Sequence, residues 1–362
     1  MTAEPLVTVL TPVHNGEAYL AECIESVLAQ TYRRWEYVIV DNGSTDATGD
    51  IARRYAEREP RLRVVRNPRL VGVIANHNIA FRQLSPGSAY CKVVHADDWL
   101  FPECLARMVD VARRHPSVGI VSAYRLEGAW VDLDGLPFPS TVIPGAEICR
   151  SSLLGGPYVF GSPTSILIRS DLVRRRDPFY DETTVHADEA ACYEALGESD
   201  FGFVHQVLTY TRSHEGTVTA SFARRLNTLA TGNLMILSRY GPRFLGPAEY
   251  ERRRQERLGE CYRALARATI TGKGREFWDH HRAALIALGS PLSARRLVLA
   301  TCREALNALA APGKVARRLG SRPRARTGAG HSGQPADEVR SRRLTREAEQ
   351  RSAAEVAPGR PL

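Results

Sequence analysis

Nowhere in the 362 residues do about 18 apolar positions run consecutively, the length a helix needs to cross a bilayer, so no transmembrane segment is expected. There is no Cys-x-x-Cys pair. The seven cysteines stand apart at positions 23, 91, 104, 149, 192, 261 and 302, which argues against a zinc site or disulfide framework and suits a reducing compartment. MTAEPLVTVLTPVHNG has no basic leader, and its apolar run is too short for a signal peptide, so a cytoplasmic location is the expectation. Neither Gly-x-Gly-x-x-Gly nor a Gly-Lys-Ser/Thr phosphate loop occurs; any nucleotide must be held by another device.

What is present describes an ordinary globular chain, with 43% apolar and 25% charged residues. The net charge of +9 invites a nucleic-acid reading, but its location argues otherwise. From Gly313 onward there are 12 basic and 5 acidic residues, leaving 37 basic against 35 acidic in the first 312. Basicity is therefore a property of a tail, 313–362, that is poor in aromatic and β-branched residues and reads as disordered. Attraction to anionic headgroups is its functional alternative to a plain solvated extension; no nucleic-acid partner is expected.

The first half alternates two periodicities. LVTVLTPV, WEYVIV, LRVVR, CKVVHA and VGIVSA read as strands. Between them AYLAECIESVLAQ, DATGDIARRYAERE (with Asp46 as cap), GVIANHNIAFRQL and PECLARMVDVARRH (with Pro102 in its first turn) read as helices. Such alternation means an α/β fold, a mostly parallel sheet with helices on both faces. Residues 124–160 are rich in Pro, Gly and aromatics, as loops over a site would be. SILIR and FGFVHQVLTYTR are further strands around a helix DEAACYEAL, and after about residue 220 the chain turns helical and Arg-rich. The expected organisation is a catalytic domain over 1–220, a helical extension over 221–312 and the tail.

In open α/β sheets ligands sit beyond the carboxyl ends of the strands. Three polar clusters fall at such ends: PVHNG, DNGSTD and HADD. Each alone could be turn chemistry; three together suggest one site. Asp97 and Asp98 stand side by side, and adjacent carboxylates need compensation. Mg2+ or Mn2+, hard cations bound by one or two carboxylates plus substrate phosphates, would supply it. Helix capping explains at most Asp98.

These residues reach a family. VTVLTPVHNGEAYLAECIESVLAQTYRRWEYVIVDNGSTDAT closely resembles the opening of glycosyltransferase family 2, whose members are inverting enzymes of the nucleotide-diphospho-sugar fold called GT-A. The likeness runs from about Leu6 to Leu105 and more weakly to Thr219. It implies that Pro12, His14, Asp41 and Asn42 line the base and ribose pocket, that Asn78 lies near the nucleotide, and that Asp97 faces the ribose and Asp98 the cation. In TTVHADEAACYEAL the resemblance makes Asp188 the general base, with Glu189 the alternate. His214, in TYTRSHEG, would complete the metal site or touch diphosphate, and Arg212 is a further candidate for phosphate charge. The chain departs from the family pattern at His14 for Tyr, Asn42 for Asp, His77 for Arg, and His95 for the first Asp of Asp-x-Asp.

The resemblance implies transfer of a single sugar from a nucleotide-diphospho-sugar, UDP-linked most often, to a glycan or lipid-linked acceptor in surface polysaccharide synthesis. The Gln-x-x-Arg-Trp motif of processive synthases is missing. PLSARRLVLATCREALNALAAPGKVARRL mixes apolar and basic residues and could lie on the inner face of a membrane. A sugar nucleotidyltransferase and a non-catalytic nucleotide- or glycan-binding protein are the rival readings.

Overall fold

The computed structural model describes residues 4–212 and 225–310. The first strand, β1 (Leu6–Val13), lies at the middle of the sheet and is buried along nearly its whole length. Such continuous burial is what a strand covered on both faces requires. β2 (Trp35–Asp41) and β3 (Leu62–Arg66) add to one side in parallel, and β4 (Ser88–Val93) to the other. Beyond β4 comes β9 (Leu167–Arg169), antiparallel to both neighbours, then β6 (Val118–Glu127) and β10 (Asp200–Thr211), parallel to each other. The two-residue β5 (Trp99–Leu100) closes that edge antiparallel to β10. Order across the sheet is therefore 3-2-1-4-9-6-10-5. β7 (Trp130–Asp132) pairs with β6, and β8 (Val142–Ile143) with β10.

Alternation along the strands divides the core. Val7 and Val9 with Trp35, Tyr37 and Ile39 pack under α1 (Leu20–Leu28), α2 (Thr48–Ala56) and α4 (Cys104–Arg114). Leu10, Val38 and Val40 point the other way, toward α3 (Val73–Phe81), α5 (Gly145–Leu153), α6 (Ser170–Arg174) and α7 (Ala187–Leu196). The later helices are α8 (Leu229–Phe244), α9 (Pro247–Thr271), α10 (Arg275–Ala287) and α11 (Ala294–Ala310). They share a third cluster around Leu234, Leu258, Leu265 and Phe277, and α8 reaches the main core where Tyr240 stacks on Tyr193 at 5.1 Å. All described residues fall in one compact unit.

The sequence expectations differ from this structure in a few places. α4 begins at Cys104, so Pro102 precedes the helix rather than sitting in its first turn. Residues 124–160, read as loops, contain the helix α5. Asp46 does accept from the Thr48 amide at 3.0 Å at the start of α2. No described helix is long and apolar enough to cross a membrane. The tail 313–362 lies outside the described residues.

Candidate active site

Where β1, β2 and β4 end, three polar turns meet. The turn after β2 needs Gly43, whose φ of +67° only glycine adopts cheaply. Its neighbour Asp41 is buried, accepts from the Ser44 amide at 2.9 Å, and faces the Arg66 guanidinium at 3.3 Å. Asn42 is equally buried. Its side-chain oxygen accepts from Asn67 and from the Val71 amide, and its nitrogen donates to the Val71 carbonyl. Both residues therefore hold the walls of the rim. Pro12 is buried within β1. His14 is exposed, its Nδ1 3.0 Å from the Asn42 carbonyl.

Asn78, on α3, is also turned inward. It donates to the Tyr180 carbonyl at 2.8 Å and to Glu182 at 3.0 Å, and accepts from the Tyr180 amide at 2.8 Å. This side chain braces the segment that leads to α7; it does not face the rim.

After β4 the chain presents His95, Asp97 and Asp98. Asp98 is 3% exposed. Its Oδ2 accepts from the Thr164 hydroxyl at 2.6 Å and its Oδ1 from the Arg212 amide at 3.0 Å. Thr164, in the 3-10 turn Pro163–Ser165, accepts in turn from the His95 amide at 3.1 Å. Burial pushes the Asp98 carboxyl up to about 6; Asp97 raises it further, while His95 and the two hydrogen bonds oppose the shift. Beneath the turn, Lys92 of β4 is fully buried and donates to the Thr164 carbonyl at 2.6 Å and the Ile166 carbonyl at 3.2 Å. Burial lowers its pKa.

His95 Nε2 lies 3.2 Å from Nε2 of His77, which is buried and has its Nδ1 2.9 Å from the Val73 carbonyl. Burial, with help from His95, pulls His77 down to about 3, so it is neutral. One donor atom each from His95, Asp97 and Asp98 lies within 4.8 Å of the others. Two carboxylate oxygens and an imidazole nitrogen at that spacing suit one hard or borderline divalent cation, with ligand positions left for diphosphate.

Arg212 is spent nearby. Its Nε donates to the Asp97 carbonyl at 3.2 Å, its guanidinium pairs with Glu22, and it lies 4.3 Å above the Tyr19 ring. His214 lies outside the described residues.

Asp188 sits in the first turn of α7, partly exposed, its Oδ1 accepting from the Glu189 amide at 2.9 Å. Burial raises its pKa above the ordinary carboxylate value, opposed by the Glu189 amide and by the imidazoles of His186 and His95. A carboxylate from α7 thus comes within electrostatic reach of the cluster after β4. Its neighbour Glu189 is pushed up to about 7 by burial and by Asp188, and feels Arg257 of α9.

Thr164 and Lys92 escaped the sequence reading as parts of this site, and His77 entered it solely as a departure from the family pattern. Only a lysine in the middle of the apolar strand CKVV offered a local signal, since a buried ammonium must find acceptors.

Comparison with known proteins agrees with the geometry. Residues 8–174 match the model of Glycosyl transferase family 2. Glycosyltransferase GlyA of Streptococcus pneumoniae is 35% identical over 100 residues, 28% of this chain; that segment is 14% of GlyA's length. Among solved structures, S. aureus TarS 1-349 in complex with UDP-GlcNAc superposes with a TM-score of 0.58 at 18% identity, over 80% of this chain and 82% of that one. Mannosyltransferase PcManGT from Pyrobaculum calidifontis, in complex with GDP-Man and Mn2+, gives 0.52 at 18%, over 87% and 83%. These likenesses establish the GT-A fold. Over residues 8–174, the chain is similar to glycosyl transferase family 2.

Proposed function

We propose that this protein is a divalent-cation-dependent, inverting glycosyltransferase that moves one sugar from a nucleoside-diphosphate donor to a hydroxyl of a glycan or lipid-linked acceptor. The observation that carries the reading is the cluster of His95, Asp97 and Asp98, with a third acid, Asp188, from about 90 residues later in the chain within electrostatic reach of His95. A site that only bound nucleotide would need no such further carboxylate. UDP-GlcNAc in TarS and GDP-Man with Mn2+ in PcManGT support a nucleotide-sugar donor and a cation, Mg2+ or Mn2+. The surface-polysaccharide setting follows from the family.

Inverting transfer is a single displacement at the anomeric carbon, so the chain supplies no nucleophile. Asp188 accepts the proton of the acceptor hydroxyl as that oxygen attacks. His95, Asp97 and Asp98 would hold the cation, which when bound neutralises charge on the departing diphosphate. Thr164 and the Arg212 amide fix the Asp98 carboxylate, so no reorganisation is needed as the donor arrives. Pro12, Asp41 and Asn42 shape the rim under the nucleoside, while the exposed His14 and the half-buried Asp97 reach it. Asn78 acts at a distance by fixing the approach to α7.

The lipid-linked acceptor and a membrane surface are supported by α11. Val298, Leu299, Leu306 and Leu309 are each more than half exposed, and Arg295, Arg296 and Arg303 lie among them. The one carboxylate of this helix, Glu304, turns away to pair with Arg267. Aliphatic residues flanked by arginines that pair with no carboxylate among the described residues suit the headgroup region of an anionic leaflet.

Calorimetric titration with UDP, GDP, dTDP and CMP, with and without Mn2+, tests the reading. One nucleotide should bind, and only with the cation; with the matching sugar donor, nucleoside diphosphate should be released and not pyrophosphate. A folded protein that binds none of the four refutes it.

A further inference from the structure

The position of His95 is one where the family pattern places an aspartate, and its surroundings say what the exchange does. The Val73 carbonyl 2.9 Å from His77 Nδ1 can only accept, so that nitrogen carries the proton. His77 Nε2 is then an acceptor. The nitrogen facing it at 3.2 Å, His95 Nε2, must donate. A neutral His95 with its proton on Nε2 has a bare lone pair on Nδ1. That atom stands 3.9 Å from Asp98 Oδ2, too far for a hydrogen bond. Two neighbouring ligands each about 2.1 Å from one octahedral ion stand about 3 Å apart, so these two atoms need close by only about 1 Å to share a cation. Asp98 Oδ2 already accepts from Thr164, and the Asp97, Asp98 and His95 donor atoms all lie within 4.8 Å.

We infer that His95 Nδ1 is a nitrogen ligand of the cation, that His77 is the positioning residue which leaves that atom unprotonated, and that the nitrogen biases the site toward Mn2+ over Mg2+. The inference rests on the cation-dependent reading above and deepens it. Ligating histidines commonly donate their second ring N–H to a neighbour that fixes tautomer and ring orientation. A carboxylate or carbonyl usually takes this part; here another imidazole does, held by the α3 backbone. Mg2+ favours oxygen ligands and retains its waters, whereas imidazole suits the first-row transition metals. Replacing an oxygen ligand by nitrogen therefore costs Mg2+ more than Mn2+.

The test uses the full chain and reads binding and tautomers. Free Mn2+ is followed by electron paramagnetic resonance with UDP or GDP present, Mg2+ is the competitor, and long-range nitrogen–proton NMR spectra are taken on metal-free protein. The spectra should show His77 protonated on Nδ1 and His95 on Nε2. The wild type should prefer Mn2+, and His95→Asp should narrow that preference about tenfold. His77→Phe should weaken Mn2+ binding about tenfold, the lower end for loss of a ligand's outer partner. His77→Gln, whose amide oxygen can accept the same bond, should recover most of it. A proton on His95 Nδ1, or a Mn2+ preference indifferent to His95→Asp, overturns the inference. If Mn2+ binding is lost in Asp98→Asn yet untouched by every histidine variant, the cation-dependent reading stands and this inference falls. If the wild type binds neither cation with UDP or GDP, both fall.

Discussion

Replacing Asp98 by asparagine should make the metal-free protein more stable at alkaline pH, although the residue lies at the centre of the site. Burial lifts its carboxyl to about 6 in the folded protein, against an ordinary 3.8. A folded value above the unfolded one means that the native state holds the proton longer. Stability is then undiminished below about 3.8, falls as the pH climbs toward 6, and stays lower beyond it. At about 1.4 kcal/mol per pH unit, the ionised carboxylate costs the fold about 3 kcal/mol at pH 8. The substituted amide would carry no charge and occupy nearly the same volume. Its oxygen can still accept from the Arg212 amide, but its NH2 would face the Thr164 hydroxyl, which must turn from donor to acceptor. That exchange costs about 1 kcal/mol. The net expectation is a gain of about 2 kcal/mol at pH 8 that vanishes near pH 4.5, with cation binding lost. Urea unfolding in EDTA at the two pH values measures it. A variant less stable than wild type at pH 8, or a difference independent of pH, would refute the reasoning.

Asp188→Asn should lower turnover by about 10²–10⁴-fold while leaving nucleotide affinity unchanged. Because burial raises the Asp188 pKa and the base form is required, the wild-type rate should climb with pH through a value above the ordinary carboxylate range. Thr164→Val keeps the shape of a fully buried side chain and removes a hydrogen bond to an ionised carboxylate; a loss of about 1.5–3 kcal/mol in urea unfolding at pH 8 is expected. In vesicle flotation, Leu306→Ser with Leu309→Ser should cut binding to anionic vesicles by roughly tenfold per residue, on the order of half of a leucine's full burial energy. Binding through the tail alone would be abolished by salt and indifferent to these two changes.

Much of the sheet was legible because its parallel strands are buried on both faces and read as unbroken apolar runs, VTVL and YVIV among them. The direction of β9 was not: Leu-Ile-Arg pairs equally well either way, and only its place between β4 and β6 fixes it. α5 hid in GAEICRSSL because the Pro and Gly around it dominate the local signal. At the site, two adjacent acids at a strand end announce themselves by their mutual repulsion. Amides do not. Nothing in the letters of Asn42 or Asn78 tells whether an amide faces a ligand or ties down its own loop, and here both tie down loops. The links from Thr164 to Asp98 and from His77 to His95 join residues 66 and 18 positions apart, so no local pattern could carry them.

The three-residue β9 joins the two halves of the sheet, meeting β4 on one side and β6 on the other. On the ribosome this imposes an order of events. β4 and β6 are made first, and each must wait with an open edge until residues 167–169 emerge. At roughly 5–20 residues per second, the 39 residues between β6 and β9 take a few seconds to synthesise. Two exposed strand edges over that interval are an invitation to wrong partners. The strand that joins the two halves follows directly on the turn bearing Thr164, so β4 and β6 are joined and Asp98 gains its hydroxyl partner from the same stretch of nascent chain.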